Sequence, residues 1–197
     1  PKRITLFTKL KEIHSKDFQA NKYLGEHYFR AENYSAARTH FKNALSDNKN
    51  SFGTWQQLVM TDHRLSDYET MEKDAEEGVS YFPAQSQLYY YMGLAQVQQE
   101  KHQKGIDAYE EGLLYCTAAI QKATFLSALG DAYHAVGNHD KSDECFEKSL
   151  ALDSLNAMVL NNYAYYLSER RFNLKRAEEM SFICNTLRPG TASFNDT

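Results

Sequence analysis

Three prolines and nine glycines in 197 residues are too few for a loop-rich or disordered chain. The three cysteines, Cys116, Cys145 and Cys184, are odd in number and include no C-x-x-C spacing. That argues against a disulfide framework or a zinc site, and for small buried thiols. No apolar run has the length of a signal sequence or a membrane span, so direct membrane insertion is not expected. Positive charge is not in excess: 22 Lys and Arg stand against 26 Asp and Glu, leaving no basic stripe for nucleic acid. The sequence contains no H-E-x-x-H, G-x-S-x-G, phosphate-cradling G-x-x-x-x-G-K-[ST] or G-x-G-x-x-G. His134 and His139 straddle a turn without a nearby cysteine or carboxylate pair, so no metal is expected there. The acidic runs Asp74-Ala75-Glu76-Glu77 and Glu110-Glu111 read as solvated helix faces. No cofactor is expected, and the chain reads as non-catalytic.

What the sequence does have is aromatic residues, 14 Tyr and 11 Phe, and a repeat of about 34 residues. Leu24-Gly25 leads to Tyr28, Tyr34, Ala37, Phe41 and Ala44. Met92-Gly93 leads to Ala95, Gly105, Tyr109 and Gly112. Leu129-Gly130 leads to Tyr133, His139, Ser142, Phe146 and Ser149, and Tyr163-Ala164 leads to Leu167, Ala177, Ser181 and Cys184. Apolar residues keep helical spacing throughout, and no β alternation is sustained. Polar turns at Arg30–Asn33, Ser66-Asp67, Glu100-Lys101, Gly137-Asn138 and Arg171–Asn173 divide each repeat into two helices. Two helices approach closely only where facing side chains are small, so glycine at 25, 93 and 130 implies a large knob from the partner helix. Glycine within a helix costs about 1 kcal/mol relative to Ala, a loss that close packing must offset.

The pattern resembles the tetratricopeptide repeat family. Its large–small pair in the first helix is answered by Leu24-Gly25, Met92-Gly93, Leu129-Gly130 and Tyr163-Ala164, and its closing proline by Pro83 and Pro189. The resemblance implies an all-α fold, a right-handed superhelical solenoid of antiparallel helix pairs. Repeats are expected at 18–51, 52–85 (divergent), 86–122 (with a short helical extension), 123–156 and 157–190. Residues 1–17 read as the second helix of a preceding repeat and 191–197 as the start of a following one, which suggests a piece of a longer array. In the second repeat Val59, Asp62 and Met71 replace the usual Gly, Tyr and Ala, so its helices are expected to sit further apart or to lean differently. The run Leu160–Leu167 is similar to late repeats of bacterial envelope-associated members of the family.

The resemblance also implies a function: a protein–protein interaction scaffold that holds a peptide or helix in a concave groove lined by the first helix of each repeat. The residues it places there are Lys22, Glu26, Arg30, Gln56, Met60, His63, Tyr90, Tyr91, Leu94, Asp131, His134, Asn161, Asn162 and Tyr165. The lining is polar and aromatic with mixed charge, and Tyr90 and Tyr165 are the expected anchors. Relatives that hold acidic chaperone tails use a Lys/Asn/Arg clamp. Here Lys22 is kept, but Glu26, Gln57, Gln87 and Tyr91 take the other positions, which argues against a chaperone C-terminal tail as partner. The alternative readings are self-association through exposed end repeats and a regulatory segment of a larger envelope-associated protein.

Overall fold

The computed structural model describes residues 17–187. The half repeats expected over 1–17 and 191–197 lie outside the described residues, apart from Asp17.

Among the described residues there are ten helices and no strand. They are α1 (Phe18–Arg30), α2 (Tyr34–Asp47), α3 (Phe52–Arg64), α4 (Tyr68–Tyr81), α5 (Ser86–Gln98), α6 (His102–Leu114), α7 (Ala119–Ala135), α8 (His139–Leu152), α9 (Ala157–Glu169) and α10 (Leu174–Leu187). The repeat is visible in the backbone itself. Glu32, Ser66, Glu100, Gly137 and Arg171, each just past the end of a first helix, all have φ between 52° and 75°. The residue after each of them donates its N–H back across the turn: Asn33 to Tyr28 O, Asp67 to Asp62 O, Lys101 to Gln96 O, Asn138 to Tyr133 O and Phe172 to Leu167 O. This left-handed cap satisfies carbonyls that the helix leaves open. At Asn33, Asp67 and Asn138 the same residue then caps the second helix with its side-chain oxygen. One short turn therefore stops one helix and starts the next.

The three residues inserted after the third repeat appear as length in one helix. α7 has 17 residues where α1, α3, α5 and α9 have 13. The chain is not helical from Cys116 to Ala118, so the added turn belongs to the start of α7 and does not prolong α6.

The chain divides into two compact units, Pro1–Ala108 and Tyr109–Thr197, with the division inside α6. In the first unit α1 packs on α2 and α3 on α4. α3 touches the first pair and α5 the second. The core joins Phe41, Leu45, Trp55, Leu58, Val59, Met71, Ala75 and Leu88. Gly25 fits against Phe41 because it has no side chain: a Cβ there would lie 2.6 Å from the ring. In the second pair Val59 and Ala75 stand where the first pair has Gly25 and Phe41, and both are buried in the same core. α3 and α4 approach one another over less of their length than α1 and α2 do. In the second unit α7 packs on α8 and α9 on α10, around Phe146, Leu150, Leu160, Tyr163, Leu167 and Met180. Gly130 repeats the role of Gly25, since a Cβ there would meet the Phe146 ring at 2.8 Å.

The small residues of the second helices do more than leave room. Ser142 Oγ donates to Gly130 O at 2.9 Å, Ser149 Oγ to Ala123 O at 2.8 Å and Cys184 Sγ to Ala157 O at 3.0 Å. Each bond joins the two helices of a pair; the two hydroxyl bonds contribute about 1 kcal/mol net each, and the thiol, a weak donor, contributes less. Cys116 and Cys184 are buried free thiols and Cys145 is half-buried. Burial pushes the Cys145 thiol up to about 11, so it is protonated and inert at neutral pH.

Candidate functional site

In the first unit the expected site residues lie on α1, α3 and α5. Each of these helices buries one stripe, and the candidates fall beside it: Lys22, Glu26, Gln56, Met60, His63, Tyr90, Tyr91 and Leu94 are half-buried and Arg30 is exposed. Two groups are brought together. Arg30 pairs with Glu26 along α1 at 3.6 Å, a solvent-exposed contact of small energetic value. His63 of α3 approaches Tyr91 of α5 with ring centroids 6.1 Å apart, and Tyr90 meets Tyr91 edge to face at 5.7 Å. Tyr91 and Leu94 also pack against the core, so the aromatic cluster stands on a fixed base. Burial raises the Tyr91 phenol, Tyr90 adds to the rise, and Arg64 opposes it.

In the second unit Asp131 and His134 of α7 face Asn162 and Tyr166 of α9. Asp131 accepts from Asn162 Nδ2 at 3.3 Å and from the Tyr166 hydroxyl at 3.1 Å. Burial raises the Asp131 carboxyl, and these two donors hold part of the rise back. The His134 imidazole stacks on the Tyr166 ring with centroids 3.6 Å apart and planes 15° from parallel. Its Nε2 lies 3.4 Å from Glu169. Burial, then His139, lowers the His134 pKa, and Glu169 works against both. Tyr165 is 50% exposed and meets Tyr166 edge-on at 5.8 Å. Asn161 is half-buried, four residues before Tyr165 on α9.

Tyr166, absent from the expected lining, is the hub of this cluster. It touches Asp131, His134, Tyr165 and Phe146. The signal for it was the one-turn spacing from Asn162, which places both side chains on one stripe of α9. The reading of Asp74 as part of a solvated face is corrected: Asp74 and Ala75 are buried, because α4 packs that stripe against α3. Asp74 lines a surface cavity of about 240 Å³ with Lys42, Lys49, Trp55 and Glu77.

The second unit's cluster offers an aromatic face, a carboxylate and an amide held in place by neighbours, groups suited to non-covalent recognition. Among the described residues no group of three or more His, Cys, Asp or Glu is placed to hold a metal. No described helix is long and apolar enough to cross a membrane.

Capped helix pairs repeated along the chain, with small residues at their contacts, define a tetratricopeptide-type helical array. Residues 123–154 match the family model for the tetratricopeptide repeat. Solved structures with the same fold include the MamA protein (17% identity, 89% of this chain and 96% of that one, TM-score 0.74). PilF of Pseudomonas aeruginosa aligns at 14% identity over 96% of this chain and 85% of its own, TM-score 0.76. YrrB, a TPR protein with an unusual peptide-binding site, aligns at 14% identity over 96% of both chains, TM-score 0.72. A search of curated protein sequences found no match.

Proposed function

We propose that the chain is a non-catalytic protein–protein interaction scaffold that holds a peptide or helix of a partner protein on the faces of its first helices. The observation that carries this reading is the pair of aromatic and amide clusters, His63–Tyr90–Tyr91 and Asp131–His134–Asn162–Tyr165–Tyr166, which lie on first helices beside the core stripe. Aromatic rings held in place by neighbours lose little entropy on binding. The peptide-binding site of YrrB, a structure of the same fold, supports it. The clusters hold too few cations for a chaperone tail. The test is a quantitative pull-down with the parent and a Tyr90→Ala/Tyr165→Ala double variant, helicity being checked by circular dichroism. Partners held by the parent and lost, by tenfold or more, from an equally helical variant are the expected result. Equal capture by both removes the groove.

A second reading, self-association, has one observation in its favour. The last pair exposes Met158, Phe172, Leu174 and Phe182, the last at 73%. Its expected result is a mass that rises with concentration in sedimentation and stays monomeric in Phe182→Asp.

A further inference from the structure

Asp62 is the most deeply buried acid among the described residues, at 0% exposure in the last turn of α3. Its Oδ1 faces the Arg38 guanidinium of α2 at 3.5 Å. Its Oδ2 is buried with no N–H or O–H donor in reach. The Asp74 carboxyl of α4, itself buried, is the side chain that acts most strongly on Asp62, and its Oδ2 likewise has no aligned donor. Lys42 Nζ, one turn after Arg38 on α2, is 2.9 Å from Asp74 Oδ2, an ion pair without hydrogen-bond alignment. Arg38 also donates to Asp67 at 2.6 Å.

The charges decide what this arrangement is. With a proton between Asp62 and Asp74, the cations Arg38 and Lys42 face the anions Asp67 and one shared carboxylate, and the cluster is neutral. Without that proton three anions face two cations, two of the anions are buried carboxyls, and the open Oδ2 has no partner. A buried charge that is unpaired is costly, and two carboxyls in contact avoid the cost by sharing a proton. No other charge stands in for it. α5, which also packs on α3, carries no acidic or basic side chain. α1 touches α3 with Lys22, Glu26, His27 and Arg30 as its ionisable residues, whereas the side chains that act most strongly on Asp62 are Asp74 of α4 and Lys42 and Arg38 of α2.

We propose that Asp62 and Asp74 form a proton-holding clasp between α3 and α4, closed by one shared proton at and below neutral pH and opened when that proton is lost. The cavity that Asp74 lines gives the proton a route to solvent. Because α3 also carries Gln56, Met60 and His63, opening the clasp loosens part of the proposed binding face. That consequence rests on the scaffold reading, whereas the clasp does not.

The direction with pH follows from linkage. Burial first, and then Asp74, raise the Asp62 carboxyl from 3.8 to about 8, with Lys42 and Arg38 opposing. Between those two values the folded chain holds a proton that the unfolded chain has released. Stability is therefore fully present below the unfolded value and falls as pH rises towards 8, by about tenfold in the unfolding constant per pH unit.

Trp55, the only tryptophan, sits in α3 and is buried, so its fluorescence reports unfolding of this unit. The experiment is thermal unfolding of the full chain followed by Trp55 emission from pH 5.5 to 9, for the parent and Asp62→Asn. The variant keeps the shape, and its amide N–H replaces the shared proton. The parent is expected to lose roughly 5 °C or more across this range, and the variant to lose little and to melt above the parent at pH 9. Carboxyl carbon NMR of the parent, labelled at aspartate, should show one aspartate titrating above pH 6.5. Asp74→Asn supplies the same comparison if Asp62→Asn does not fold. Every aspartate titrating below pH 5, or an Asn variant with the parent's alkaline loss, overturns the clasp. Neither readout involves a partner, so failure of the scaffold reading leaves this test intact.

Discussion

Gly130→Val is expected to destabilise the second unit by more than about 3 kcal/mol, at the upper end of what overpacking costs in a close-packed core. The Cβ alone would stand 2.8 Å from the Phe146 ring, and Phe146 has nowhere to go. It is fully buried, stacked on Tyr163 at 5.1 Å and in contact with Tyr166. Phe146→Ala alone should cost a similar amount, about 3–5 kcal/mol, for the opposite reason: it leaves a cavity under a ring-sized gap. The double variant Gly130→Val/Phe146→Ala should recover 1 kcal/mol or more of the summed loss, a coupling characteristic of residues in direct contact. The expectation comes from the chain itself, because the second repeat uses Val59 and Ala75 at the corresponding positions and buries both. Urea unfolding of the two single variants and the double completes the cycle. Strict additivity would show that the helix spacing, and not the paired volume, sets the cost.

That exchange also marks how far the sequence could be read. The period, the turns and the small residues at helix contacts were visible because they recur at a fixed interval. The same three features appear as left-handed caps at Glu32, Ser66, Glu100, Gly137 and Arg171 and as rings seated on Gly25 and Gly130. Val59 and Asp62 stood out as departures, but their meaning depends on residues across the helix pair. Val59 is matched by Ala75 in the facing helix. Asp62 is matched by Asp74, whose acidic neighbours Glu76 and Glu77 are exposed and disguised it as surface. Tyr166 escapes the sequence pattern for the same reason: its partners Asp131 and His134 belong to the preceding repeat, and no periodicity of composition marks a contact between unlike residues. The inserted residues after the third repeat are visible in the period, but which helix lengthens is decided by the break at Cys116–Ala118.

Trp55→Ala should cost the first unit about 3–5 kcal/mol, and the structure divides that loss into two parts that Trp55→Phe can separate. The indole is 2% exposed, within the core formed with Leu45, Leu58 and Met71, and it stacks on Tyr81 at 6.0 Å. Truncation to Ala forfeits that burial and opens a cavity. The indole N–H also donates to Lys49 O at 2.9 Å and so pins the connection that leads from α2 into α3. The next repeat does the same with a different side chain: the Tyr89 hydroxyl donates to Pro83 O at 3.0 Å, across the same separation in sequence. Two chemically distinct aromatics thus tie two successive connections, each by a polar tip on an apolar body. Trp55→Phe keeps most of the apolar body and loses the tip, and about 1–2 kcal/mol is expected from the missing bond and the smaller ring. Tyr89→Phe removes the tip alone and should cost about 1 kcal/mol. Hydrogen exchange at residues 49–54 and 84–88 is the readout that separates the two roles. If the tips pin the connections, each Phe variant raises exchange in its own connection and leaves the other unchanged. If both connections stay protected, the aromatics act through burial alone, and the ordering of α3 and α5 on the preceding pairs rests entirely on the core.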